Sequence, residues 1–128
     1  MSNEQRIAVF CCENSAYKAV ETVTDPDILA SIDVVRLPCS GKIEAGLVLK
    51  TLERSFGGVI VLGCPEENCK YISGNKRAGR RIASVKSLLT GAGLDPDMVR
   101  IDYVSSVDTH KVVMIIKEMQ ERVRQTVA

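Results

Sequence analysis

The residues best equipped for chemistry are five cysteines, Cys11, Cys12, Cys39, Cys64 and Cys69, in a chain of 128 residues. Thiolates are soft metal ligands and strong nucleophiles, so such a group points to a metal centre, redox chemistry or covalent catalysis. An odd count argues against a framework of structural disulfides, and the paired CxxC knuckles of common zinc sites are absent. Every cysteine lies just past an apolar run and none on a helical stripe. Cys11 and Cys12 close the run Ile7-Ala8-Val9-Phe10. Cys39 follows Asp33-Val34-Val35-Arg36-Leu37 and Pro38, and Cys64 follows Val59-Ile60-Val61-Leu62 and Gly63, with Cys69 five residues further on.

Those runs read as strands. Val59 to Leu62 is an uninterrupted β-branched and leucine stretch, the pattern of a parallel strand covered on both faces. A fourth strand is expected over Val99 to Val104. Between the strands, apolar residues recur at helical spacing. They are Ala16, Val20 and Val23; Ile43, Leu47, Val48 and Leu52; Ile82, Val85, Leu88 and Leu89; and Val112, Ile115, Ile116, Met119 and Val123. Asn14 or Ser15 can cap the first helix, Asp25-Pro26-Asp27 breaks the chain, and Gly91 and Gly93 end the third helix.

Four strands alternating with four helices imply an α/β fold with right-handed crossovers. The expected architecture is a flavodoxin-like three-layer sandwich around a four-stranded parallel sheet of order 2-1-3-4. Residues 1–128 are expected to form one domain. Ligands of such sheets bind beyond the carboxyl ends of the strands, near the switch in strand order. That is where strands 1, 2 and 3 deliver their cysteines. Four converging thiolates suit an iron–sulfur cluster or zinc, and spacing alone does not choose between them. Free cysteine is also a common buried hydrophobe, which accounts for any one position but not for their shared place at strand ends.

Composition narrows the classes further. The net charge of +1 gives no bulk electrostatic case for nucleic acid, and 45% hydrophobic residues rule out global disorder. Residues 1–6 lack the apolar core of a signal peptide, and no apolar run is long enough for membrane insertion. A cytoplasmic location, where thiols stay reduced, is expected.

Several segments together resemble the delta subunit of methyl-viologen-reducing hydrogenase, over almost the whole chain. They are Phe10-Cys11-Cys12, Cys39-Ser40-Gly41-Lys42, Gly63-Cys64-Pro65-Glu66-Glu67-Asn68-Cys69-Lys70-Tyr71, Ser73-Gly74-Asn75 and Val104-Ser105-Ser106. The resemblance implies a 2Fe–2S cluster held by Cys12, Cys39, Cys64 and Cys69. It also implies electron relay between a partner oxidoreductase, a hydrogenase or similar, and a heterodisulfide-reductase-type flavoprotein subunit, with no bond-making chemistry in the chain itself. The first family motif usually reads Cys-Asn-Trp-Cys; here it is Cys12-Glu13-Asn14-Ser15, so Ser15 stands in place of one cysteine. Pro65 and Lys70 replace the histidines that usually follow the cysteines of the third motif. Cys11 is the substitute ligand, either in place of the cysteine that Ser15 replaces or in place of Cys12 on strand 1. Amides at Gly41 and Gly63 are candidate donors to the cluster sulfurs, Lys42 and Lys70 would raise its potential, and Tyr71 and Asn75 would close the loop.

The chief alternative is a cysteine-nucleophile phosphatase or arsenate-reductase-like enzyme using Cys12, whose loop would cradle an oxyanion. That chemistry needs an arginine at the far end of the loop, where Lys18 stands, a poorer fork for an anion. A structural zinc-binding domain is the other alternative. A thioredoxin-like enzyme lacks its CxxC, a receiver domain lacks its strand 3 aspartate, and neither GxGxxG nor a P-loop occurs. Lys76, Arg77, Arg80, Arg81 and Lys86 form a basic segment that reads first as a solvated helix face and second as a dock for an acidic partner. No aromatics are interleaved there to stack bases. His110 reads as a capping or surface residue, and Met114, Ile115 and Met119 as core or subunit contact.

Overall fold

The computed structural model describes residues 6–12, 16–37, 45–53, 57–63 and 74–127. Strands β1 (Ile7–Cys12), β2 (Ile32–Leu37), β3 (Gly58–Gly63) and β4 (Val99–Tyr103) form one sheet in the order β2-β1-β3-β4, every pair parallel. Helices α1 (Ala16–Glu21), α2 (Pro26–Ser31), α3 (Ala45–Glu53), α4 (Gly74–Gly91) and α5 (Thr109–Val127) complete the α/β architecture. Both the fold class and the strand order agree with expectation.

Side-chain alternation along the strands divides the core into two layers. Ile7, Val9 and Cys11 of β1, with Ile60 and Leu62 of β3, pack against Ala16, Ala19 and Val20 of α1 and Val112, Ile116 and Met119 of α5. Ala8 and Phe10, with Val59 and Val61, face Val48 of α3 and Ala78, Ile82, Val85 and Leu89 of α4. Strands β1 and β3 are buried along their whole length, as central parallel strands must be. The β2 edge leaves Val34, Val35 and Arg36 exposed.

Two loops use one device. Asp25 caps α2, its Oδ1 accepting from the Asp27 amide at 3.0 Å, with Pro26 at the first helical position. Asp95 repeats this before a 3-10 turn over Pro96–Met98, accepting from the Asp97 amide at 2.9 Å. Each Asp-Pro-Asp starts a short helical segment that runs directly into a strand, β2 or β4. The first of these corrects the sequence reading, which treats Asp25-Pro26-Asp27 only as a break and so finds four helices. Helix α4 ends in a Schellman motif: the Leu94 amide donates to the Leu89 carbonyl at 2.8 Å and Gly93 takes a φ of 78°. Leu88, expected to point inward, is 57% exposed. The stripe Ala78, Ile82, Val85, Leu89 already fills the buried face.

Opposite the cysteine end, Arg6 clamps the start of β2. Its guanidinium donates to both Asp33 oxygens, at 3.0 and 2.5 Å, and to the carbonyls of Ala30 and Ile32 at 2.9 and 3.0 Å. The hydrogen bonds from Arg6 hold the Asp33 carboxyl below its ordinary range. This stabilisation is complete above the ordinary aspartate range near pH 4 and fades as pH falls through the lowered value. Asp33 is 46% exposed, so solvent screens the pair. Arg6→Met is expected to cost about 1 kcal/mol at pH 7. In urea melts the gap from wild type narrows as pH falls through the lowered value, where the carboxylate protonates; an unchanged gap would show that the ion pair contributes nothing.

Candidate metal centre

Three neighbouring strands bring their carboxyl ends side by side in this sheet. In the β1–β2 register Cys12 lies opposite Leu37, and Cys11 lies opposite Arg36 on one side and Leu62 on the other. Parallel neighbours stand about 4.8 Å apart, so the ends of β2, β1 and β3 form a short row. Cys12 is the last residue of β1. In sequence Cys39 comes two residues after the last residue of β2, and Cys64 directly after the last residue of β3. Cys39, Cys64 and Cys69 lie outside the described residues, as do Ser15, Gly41, Lys42, Lys70 and Tyr71. Gly63 closes β3, and its carbonyl accepts from the Val104 amide at 2.8 Å.

Cys11 and Cys12 are both buried and form no disulfide, yet they sit differently. Cys11 continues the face of Ile7 and Val9 into the α1 and α5 layer and is wholly buried. Burial, and secondarily the neighbouring Cys12, pushes its thiol up to about 12. At neutral pH Cys11 is therefore a protonated apolar side chain. Cys12 also joins this cluster, although alternation along β1 gives it the opposite parity. The chain leaves the sheet at this residue. Among the described residues no three cysteine, histidine or acidic side chains come together in a metal-holding group.

The rest of this edge is well tied. Lys111 Nζ donates to the Tyr103 carbonyl at 2.8 Å, and the Ser105 amide donates to Asp108 Oδ2 at 2.8 Å. That amide holds the Asp108 carboxyl below its ordinary range, and the Asp108 carbonyl accepts from Val112 at the start of α5. Thr22, just past α1, and Thr109 share a short hydroxyl contact. His110 is exposed in the first turn of α5. Of the methionine stripe, Met119 is buried and Met114 is 49% exposed.

One pair near the row carries no sequence motif. The Arg36 guanidinium lies over the Tyr17 ring, 5.1 Å from its centroid. It couples α1, which follows the Cys12 segment, to the last turn of β2, which precedes Cys39. The pairing depends on the β1–β2 register, so the sequence offers only an exposed cation near a strand end.

A four-stranded parallel sheet of order β2-β1-β3-β4 flanked by helices, with Cys12 at the end of a central strand, defines the class as a small α/β sandwich. The family described as methyl-viologen-reducing hydrogenase, delta subunit, matches residues 7–126, and the chain belongs to it. The iron-sulfur subunit of the vhu F420-non-reducing hydrogenase of Methanopyrus kandleri is 32% identical over 127 residues, covering 98% of this chain and 96% of the relative. The corresponding iron-sulfur subunit of the F420-non-reducing hydrogenase of Archaeoglobus profundus is 31% identical, covering 95% and 90%. A third similarity differs in kind. A ferredoxin:CoB-CoM heterodisulfide reductase subunit of Methanosarcina mazei is 33% identical over 95 residues, which are 71% of this chain but only 12% of that relative.

Proposed function

We propose that this chain is an electron-transfer subunit that carries a 2Fe–2S cluster on Cys12, Cys39, Cys64 and Cys69. The observation that carries this reading is the row of strand ends. Strand order β2-β1-β3 sets the end of β1, where Cys12 lies, between the two strand ends that immediately precede Cys39 and Cys64. Thiolates are the donors an iron–sulfur cluster requires, and four make one full set. Relatives named as iron-sulfur subunits support that cofactor class over zinc. The cluster, when bound, takes up and gives back single electrons. Every other part of the function falls to the protein: Cys12 anchors the site to a buried strand, and Cys11 stays a protonated core residue beneath it. The Lys111 and Asp108 contacts hold the β4 end of the same edge rigid.

Its partners on this reading are two: a hydrogenase or similar oxidoreductase, and a heterodisulfide-reductase-type flavoprotein subunit. The Methanosarcina mazei similarity supports the second partner, because there a segment like this chain is part of a heterodisulfide reductase polypeptide itself. We place the protein in the cytoplasm, where its thiols stay reduced. Among the described residues no helix is long and apolar enough to cross a membrane. The test is electron exchange. Dithionite-reduced chain, freed of excess reductant, is expected to reduce the heterodisulfide reductase flavoprotein purified from the same cells, seen as flavin bleaching in stopped flow. Bleaching no faster than with cluster-free chain would sink the relay role.

A further inference from the structure

We infer that Tyr17 and Arg36 are positioning residues for the cluster: their stack clamps the end of β2 to α1 and so holds the chain entering Cys39 beside the chain leaving Cys12. This role rests on the cluster reading proposed above and adds to it a device that keeps the cluster in place.

The three strand ends that precede or carry the proposed ligands are not held alike. Strands β1 and β3 are each paired on both sides and buried along their whole length. Strand β2 is the edge, hydrogen-bonded to β1 alone, and its residues Val34, Val35 and Arg36 are exposed. Its end is therefore the one that parts most readily from the sheet. The start of β2 is tied down by Arg6, through Asp33 and the carbonyls of Ala30 and Ile32. Arg36, the residue before its end, is placed to do the same at the cysteine edge.

Core packing does not do this in its place. Alternation along β2 puts Ile32, Val34 and Arg36 on the α1 side of the sheet. There an open groove of about 500 Å³ separates β2 from α1, lined by Val20, Val23, Leu29 and Val34. Tyr17 and Arg36 line the same groove and bridge it, with the guanidinium 5.1 Å from the ring centroid. Tyr17 packs partly against the α1 and α5 layer of the core, so the ring is a fixed platform for the Arg36 arm.

The clamp lies close to both ligands along the chain. Only residues 13–15 separate Cys12 from α1, and Tyr17 is the second residue of that helix. Cys39 comes three residues after Arg36, a stretch that reaches at most about 10 Å. Separation of Arg36 from Tyr17 therefore frees the segment leading to Cys39, while Cys12 stays with the buried strand.

The test is the rate at which the anaerobically purified, cluster-loaded chain gives up iron to an excess of bathophenanthroline. Wild type is compared with Arg36→Met, Tyr17→Leu, Tyr17→Phe and Arg6→Met, each at a temperature well below its own melting midpoint. Release through opening of the β2 end scales with the open population. Loss of an exposed cation–π contact should then speed it about three- to fivefold in Arg36→Met and Tyr17→Leu. Tyr17→Phe keeps the ring face and should stay within about twofold of wild type. Arg6→Met loosens the far end of β2 and should also stay within about twofold, which separates the clamp from general stability. Equal rates for Arg36→Met and Arg6→Met, or no change in Arg36→Met, would overturn the clamp and leave the cluster reading standing. Faster release in Arg36→Met with none in Tyr17→Leu would make the charge the agent and would also overturn the stack. A wild type purified without iron and sulfide would overturn the cluster reading and the clamp with it.

Discussion

Cys12→Ala is expected to leave a folded protein that has lost its visible absorbance and its iron and sulfide, whereas Cys11→Ala keeps all three. The two residues are adjacent, equally reduced and both buried, so the contrast isolates what position does. Cys11 sits in the apolar layer beneath α1 and α5, and burial keeps its thiol protonated. Cys11 is flanked in register by Arg36 on one side and Leu62 on the other, one residue back from the strand end, so its thiol is placed to pack rather than to bind. Its removal leaves a small void, worth about 1 kcal/mol of stability. Cys12 is the residue at which β1 ends, in register with the end of β2. Losing it removes one thiolate of four and the anchor to the buried strand. Preparation and assay must be anaerobic. Cofactor loss in Cys11→Ala but not in Cys12→Ala would reverse the assignment and give Cys11 the role opened by Ser15.

The largest effect on stability is expected at Gly58, the first residue of β3. A Cβ there would lie 2.6 Å from Met119 Sδ, 3.1 Å from Met119 Cγ and 3.3 Å from the Met98 carbonyl oxygen. Met119 is 3% exposed and has little room to withdraw, and the carbonyl belongs to backbone. Overpacking of this kind costs roughly 1–3 kcal/mol. For a domain of this size, Gly58→Ala should therefore lower Tm by about 5–10 °C. Gly46, inside α3, is the opposite case, since nothing lies within 4 Å of the added carbon. Gly46→Ala should raise stability by about 0.5–1 kcal/mol through helix propensity and a stiffer unfolded chain. Thermal melts of the two variants should thus move in opposite directions. A Gly58→Ala melt unchanged from wild type would mean that α5 does not press on the start of β3 as described.

How far the sequence foretells the structure depends on the length of each signal. Strands β1 and β3 are continuous apolar runs ended by Cys12 and Gly63, so their burial and parallel pairing follow directly. Helix α5 is long enough for its stripe of Val112, Ile115, Ile116, Met119 and Val123 to identify the buried face. Helix α2 has only six residues, too few for a period, and its start signal, Asp25 before Pro26, is the same dipeptide that marks a break. Leu88 misleads because it adjoins Leu89, and one helical step of 100° carries it off the buried stripe.

For the site, topology is the informative level: strand order alone sets the end of β1 between the strand ends that precede Cys39 and Cys64 in sequence. The choice between Cys11 and Cys12 is beyond it, since the two adjacent cysteines differ only in their place along β1. The Tyr17–Arg36 stack is equally silent in the sequence, being made by register. Of the proposed ligands Cys12 lies among the described residues, and the others follow from chain order.

The most direct test of the central claim is an electron paramagnetic resonance spectrum of anaerobically purified chain, before and after one-electron reduction, with iron and acid-labile sulfide counted on the same sample. The account predicts a silent oxidised protein that gains a spin-half signal on reduction, with iron and sulfide each at about two per chain and no zinc. Stoichiometric zinc without sulfide, or a chain that binds no metal with Cys12 intact, would contradict it.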